Sequence, residues 1–137
     1  MRTASFFTYR GPGRVSVARW APRATPAGFR VYRPLNPTAD MLKLPRERYE
    51  PLYRAILARL DPRRVEADVA RLAAPHEPVL LCWERPPFSE AVWCHRRMVA
   101  EWLAETLGLA VPEIAGEAAP STDDDDARAA PGVRLAP

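Results

Sequence analysis

Cysteine is scarce in this chain of 137 residues: there are two, Cys82 and Cys94. Two thiols cannot build a disulfide framework, and they fit a reducing compartment. Lysine is scarcer still, since Lys43 is the one lysine among 20 basic residues. No stretch approaches the roughly 18 apolar residues that span a bilayer. The opening MRTASFFTYR lacks the apolar core of a secretory signal. A soluble, cytoplasmic protein with no membrane partner is therefore the expectation. Several motifs are also missing: no GxGxxG, no P-loop, no HExxH, no CxxC and no CxxxxxR phosphatase loop. These absences take away the usual signatures of dinucleotide, nucleoside-triphosphate and metalloprotease chemistry, and no cofactor is expected.

Acid is absent from the first 39 residues, which carry seven arginines. Such a one-signed segment either attracts phosphates and other anions or is a solvated surface balanced elsewhere in the fold. Residues 116–137 have a net charge of −3, which leaves +6 on residues 1–115. The tail is rich in Ala, Pro and Asp and has no periodicity, so it is expected to be disordered. Apolar residues make up 47% of the chain, enough for one core. The expected organisation is a single domain over residues 1–115 followed by that acidic tail.

Strand-like segments at Ala4–Tyr9 and Val15–Trp20 flank the turn Gly11-Pro12-Gly13. A short strand is expected at Phe29–Tyr32. Tyr49, Leu52, Tyr53, Ile56, Leu57 and Leu60 recur at helical spacing, predicting a helix over Arg46–Leu60. Asp61-Pro62 supplies an N-cap and a first-turn proline for a second helix to Ala73, with Val65, Val69 and Leu72 on one face. Pro78–Glu84 reads as a strand buried on both faces. A helix over Val92–Leu107 follows, with Val99, Trp102, Leu103 and Thr106 inward and Gly108 as C-cap. A last strand is expected at Val111–Ile114. Alternating strands and helices give an α/β fold, a small open sheet with flanking helices of the Rossmann-like kind.

Cys82 and Glu84 stand at i and i+2 near the end of the buried strand, so their side chains share one face. Cys94, His95 and Arg96 open the next helix. Helix N-termini and the carboxyl ends of parallel strands meet in the crevice where α/β proteins bind ligands. Cys94 beside arginines is either an activated thiolate or a small packed residue. His95 is an acid/base group or a cap. Glu84 is a general base or the counter-ion of Arg19, Arg96 or Arg97. Arg96 suits bidentate capture of a carboxylate or phosphate. Cys82 serves as a ligand contact or a small hydrophobe. Adding His76 gives four soft or borderline metal ligands, but neighbouring Cys94 and His95 should diverge on a helix. No metal site is expected.

The pair LLCWE and WCHRRMVAEWL resembles domain-of-unknown-function family 488, with its strand ending in Cys-x-Glu and its Cys-His-Arg helix start. Ala4-Ser5-Phe6-Phe7, Val15–Arg19 with Pro22, Leu35-Asn36-Pro37 and Val111-Pro112-Glu113 are similar to further segments of that family. The resemblance covers about residues 3–114. It implies a compact α/β fold with Cys82, Glu84, Cys94, His95 and Arg96 at a shared site, and it supplies no reaction. Ser5, in the opening strand, joins Arg19, Cys82 and Arg96 as a candidate ligand contact. The expected function is a site with Cys94, His95 and Glu84 as reacting groups, acting on or binding an anionic ligand such as a nucleotide or nucleic acid. The alternative is a non-catalytic nucleic-acid or nucleotide binding module using the arginine-rich N-terminal segment.

Overall fold

The computed structural model describes residues 1–115; the expected tail lies outside the described residues. Four parallel strands, β1 (Arg2–Ser5), β2 (Arg14–Ser16), β3 (Arg30–Val31) and β4 (Val79–Cys82), form one sheet in the order β1-β4-β2-β3. The α/β class with a small open sheet is as expected. β4 is central and wholly buried, which is why its sequence is apolar without alternation. Burying each of its large aliphatic side chains contributes about 1.5–3 kcal/mol.

Among the described residues three α-helices pack on the sheet or on one another: α1 (Arg46–Ala58), α2 (Pro62–Ala73) and α3 (His95–Leu107). α3 packs on β4 and β1 and against α1 and α2, while α2 reaches β2. Asp61 caps α2 by accepting from the Arg63 amide (3.0 Å), and Pro62 follows it in the first turn. Gly108 ends α3 with φ +66°, a conformation that costs glycine nothing. Tyr49, Tyr53 and Leu57 form the buried stripe of α1. In α2 it is Val65, Val69 and Ala73, with Leu72 only half-buried.

Where the elements differ from the sequence reading, local hydrogen bonds account for it. β1 stops at Ser5, not Tyr9, because a turn captures the chain. Thr8 and Tyr9 amides donate to the Ser5 carbonyl, and the Phe7 amide donates to Ser5 Oγ (3.0 Å). Ser16 Oγ accepts from the Ala18 amide (3.2 Å) where β2 ends, short of Trp20. α3 begins at His95 and not Val92, since the Ser89 side chain accepts from the amides of Ala91 and Val92 and holds a turn there. Thr106 is exposed, and its hydroxyl donates back to the Trp102 carbonyl. At 111–114 there is a single parallel bridge, Thr3 to Glu113, in place of a strand. Gly13 (φ +84°) lies so close to the Glu77 carbonyl oxygen that a side chain there would overlap it.

Candidate functional site

The ends of β1, β4 and β2 lie side by side, with Ser5 opposite Cys82 and Ser16 opposite Leu81. Beyond Cys82 the chain bends away, and α3 returns with its N-terminus over these strand ends. Cys94 is the N-cap of α3, with extended backbone (φ −150°, ψ 144°). This conformation overturns the expected divergence of Cys94 and His95. A residue outside the helix does not follow helical side-chain directions, so both side chains reach Cys82. Cys82 Sγ is 3.6 Å and Cys94 Sγ 3.8 Å from His95 Nδ1. The three atoms lie within 4.8 Å of one another and all three residues are buried. His76, by contrast, is exposed and precedes β4, at the opposite end of that strand from Cys82.

His95 Nε2 lies 2.8 Å from the Val17 carbonyl oxygen. A carbonyl only accepts, so Nε2 carries the proton and donates, and a neutral ring presents its Nδ1 lone pair to the sulphurs. Tyr53 (ring centroids 5.0 Å apart) and Tyr49 (6.3 Å) pack against the imidazole and fix its plane. Glu84 is buried, with Oε1 4.0 Å from Cys82 Sγ. Burial and the neighbouring Cys94 push its carboxyl up to about 10, so at neutral pH it is an uncharged acid.

Arg96 is not paired with Glu84 as a counter-ion, contrary to expectation. Its Nε and Nη2 donate to Glu113 Oε1 (3.0 Å) and Oε2 (2.7 Å), and Nη2 also donates to the Glu84 backbone carbonyl (2.7 Å). Nor is Glu84 paired with Arg97, which donates to Thr3 Oγ1 and the Val111 carbonyl. Among the described residues no ion pair involves Glu84. Glu113 went unrecognised in the sequence because only the return of the chain beside β1 brings it to Arg96. Burial alone would push the Cys94 thiol up. The hydrogen bond with Cys82 and the Arg96 guanidinium outweigh it and hold Cys94 well below the usual thiol value. Cys82, buried and hydrogen-bonded to Cys94, is pushed up.

Two polar atoms here are buried without a partner, Arg96 Nη1 and Tyr49 Oη. Unpaired buried donors cost about 1–3 kcal/mol each, so they are uncommon without a ligand, ion or water to meet them. Phe88 lies on the Arg96 guanidinium, 4.9 Å from ring centre to carbon. Phe88 and Cys94 also line a cleft of about 240 Å³, together with Arg46, Trp93, Arg97 and Glu101. This cleft is the route from solvent to Cys94.

The remaining candidates sit around this centre. Ser5 is buried, its hydroxyl donating to the Trp83 carbonyl (2.9 Å). Arg19 is exposed and turned away from the sulphurs, its guanidinium over the Trp20 ring at 5.5 Å. Cys82, Glu84, Cys94, His95 and Arg96 are thus brought together, and Arg19 is not. Tyr49 and Glu113 are the additions, and the helical spacing of Tyr49 gave a core position only. Comparison of the chain with family models, with curated proteins and with solved structures finds no match to any of them.

Proposed function

We propose that this chain binds, and acts upon, a small anionic group in the cleft at the N-terminus of α3. The group is of the class that nucleotides and nucleic acids carry. Arg46 and Arg97 line its approach, Cys94 is the ionised sulphur it meets, Glu84 holds a proton beside the sulphurs, and the His95 Nδ1 lone pair is free to take one up. The single observation that carries this reading is the unpartnered Nη1 of a fully buried Arg96 whose guanidinium acts on Cys94, a residue of the cleft wall. An anion oxygen is the acceptor such a nitrogen lacks. The resemblance to family 488 supports the same five residues as a shared site. The test is protection of Cys94 from iodoacetamide by inorganic phosphate or adenosine monophosphate at constant ionic strength, followed by mass spectrometry on the metal-stripped chain. Saturable protection is expected. Labelling at an unchanged rate with both ligands would overturn the reading.

A second reading, a non-catalytic nucleic-acid binding module, has one observation in its favour. Trp20 is 57% exposed beneath Arg19, and Trp83, which donates to the Trp20 carbonyl, continues the patch to Phe7 and Arg85. Aromatic faces interleaved with arginines suit stacked single-stranded bases. Arg14 does not belong to such a surface, since backbone carbonyls of Gly11, Pro26 and Ala27 take up its donors. Steeply salt-dependent fluorescence anisotropy with a labelled oligonucleotide, lost in Trp20→Ala, is the result this reading requires.

A further inference from the structure

The imidazole Nδ1 of His95 has one lone pair, yet two sulphurs approach it at nearly equal distances, 3.6 Å and 3.8 Å. A single S–H···N hydrogen bond engages only one of them at the ring nitrogen. An ion between the three atoms engages all of them at once. Bond lengths of about 2.3 Å to sulphur and 2.0–2.1 Å to nitrogen at a tetrahedral angle put nitrogen and sulphur about 3.6 Å apart. The observed separations agree with this. The far side of the ring is also arranged as metal sites require, since Nε2–H donates to a backbone carbonyl at Val17 and so fixes the tautomer that leaves Nδ1 free.

Charge leads to the same place. The one buried arginine at the site already shares its charge with Glu113 through two hydrogen bonds, so it cannot neutralise two thiolates as well. Two thiolates and a divalent ion form a neutral cluster, which a buried pocket tolerates far better than an isolated thiolate. Thiolate and imidazole donors select zinc or a similar borderline cation over magnesium or calcium.

We infer that Cys82, Cys94 and His95 are three ligands of a zinc-type divalent metal site whose fourth position faces the cleft side of the cluster. Two metal–sulphur bonds and one metal–nitrogen bond form, and each thiol still protonated gives its proton to solvent. Three protein ligands and one open position is the arrangement of zinc sites that accept an exogenous ligand. The inference rests on the anion-site reading for what fills that position when the metal is bound, while in the metal-free chain the same anion sits against Cys94 and Arg96. Glu84, with Oε1 4.0 Å from Cys82 Sγ, is then a buried hydrogen-bonding neighbour of the cluster.

The experiment is a cobalt(II) titration of the chelator-stripped full chain under reducing conditions, with circular dichroism confirming that the stripped chain is folded. One equivalent should bind, giving thiolate-to-cobalt charge transfer and the strong visible bands of a tetrahedral ion, and zinc should bleach both. Removing one of two sulphurs in Cys82→Ala should cut the charge-transfer intensity by about half. If that variant does not fold, Cys94→Ser gives the same readout. A folded chain with no saturable cobalt uptake, or a spectrum unchanged by loss of either cysteine, overturns the inference. Phosphate protection of Cys94 in the stripped chain reports separately on the anion site. Protection without cobalt uptake discards the metal alone, and cobalt uptake without protection discards the anion reading alone.

Discussion

Arg96 and Glu113 meet end to end: Nε and Nη2 of the buried guanidinium each donate to a different oxygen of one carboxylate, at 3.0 Å and 2.7 Å. Glu113 also accepts from Thr3 Oγ1 (2.6 Å), so the pair ties α3 to β1 through a segment that is barely strand. The ion pair, and not the cysteine cluster, is the electrostatic anchor of this end of the sheet.

Glu113→Gln should therefore be strongly destabilising. It leaves a buried guanidinium without its carboxylate, and breaking a buried pair from one side costs about 3–5 kcal/mol. Glu113 keeps some solvent access, with 14% of its side chain exposed, so the lower half of that range is expected. Urea unfolding with an unchanged slope and a lowered midpoint is the readout. A loss below about 1 kcal/mol, the exposed-pair value, would refute the anchor role.

Glu84→Gln should behave in the opposite way. Glu84 is buried and has no ion pair among the described residues, and its carboxyl is uncharged at neutral pH. Glutamine keeps the shape and removes no buried charge, so a change within about 1 kcal/mol in the urea midpoint at pH 7 is expected. A loss of several kcal/mol would mean that an arginine depends on this side chain after all.

Away from the site, Asp68 provides a pH signature. It accepts from Tyr32 Oη (2.7 Å) and pairs with Arg71 and Arg64. The Tyr32 hydrogen bond, then the arginines, outweigh partial burial and hold its carboxyl below the usual 3.8. A depressed folded value means stability present above the unfolded value and lost as pH falls through the folded one. Wild type should then exceed Asp68→Asn in urea midpoint from pH 5 to 7, with the gap closing below about pH 4. A gap that stays constant into acid would show that Asp68 acts without its charge.

Much of the fold is legible in the sequence, and for identifiable reasons. A continuous apolar run marks β4, Asp61-Pro62 marks the start of α2, and Gly108 marks the end of α3. The two-residue spacing of Cys82 and Glu84 is enough to place them together. The rest depends on backbone detail and long-range return of the chain. Nothing local announces that Cys94 is an extended cap, and that alone turns neighbouring residues into converging ones. Serine side chains at positions 5, 16 and 89 cut short elements that propensity would extend. Glu113 becomes a partner only through sheet pairing with a residue 110 positions away.

Attraction of anions to Cys94 by a cleft in which Arg46 and Arg97 outnumber Glu101 is tested most directly by comparing two alkylating reagents of similar size and different charge. Iodoacetate carries a negative charge and iodoacetamide none. The ratio of their rates at Cys94, read by mass spectrometry on the metal-stripped chain at pH 7 and divided by the ratio for a free small thiol, isolates the attraction of the cleft for an anion. An attraction of about 1.4 kcal/mol from Arg46, Arg97 and Arg96 would raise that quotient about tenfold, and added salt should lower it. A quotient at or below one, or no labelling of Cys94 by either reagent in the native chain, would contradict the account.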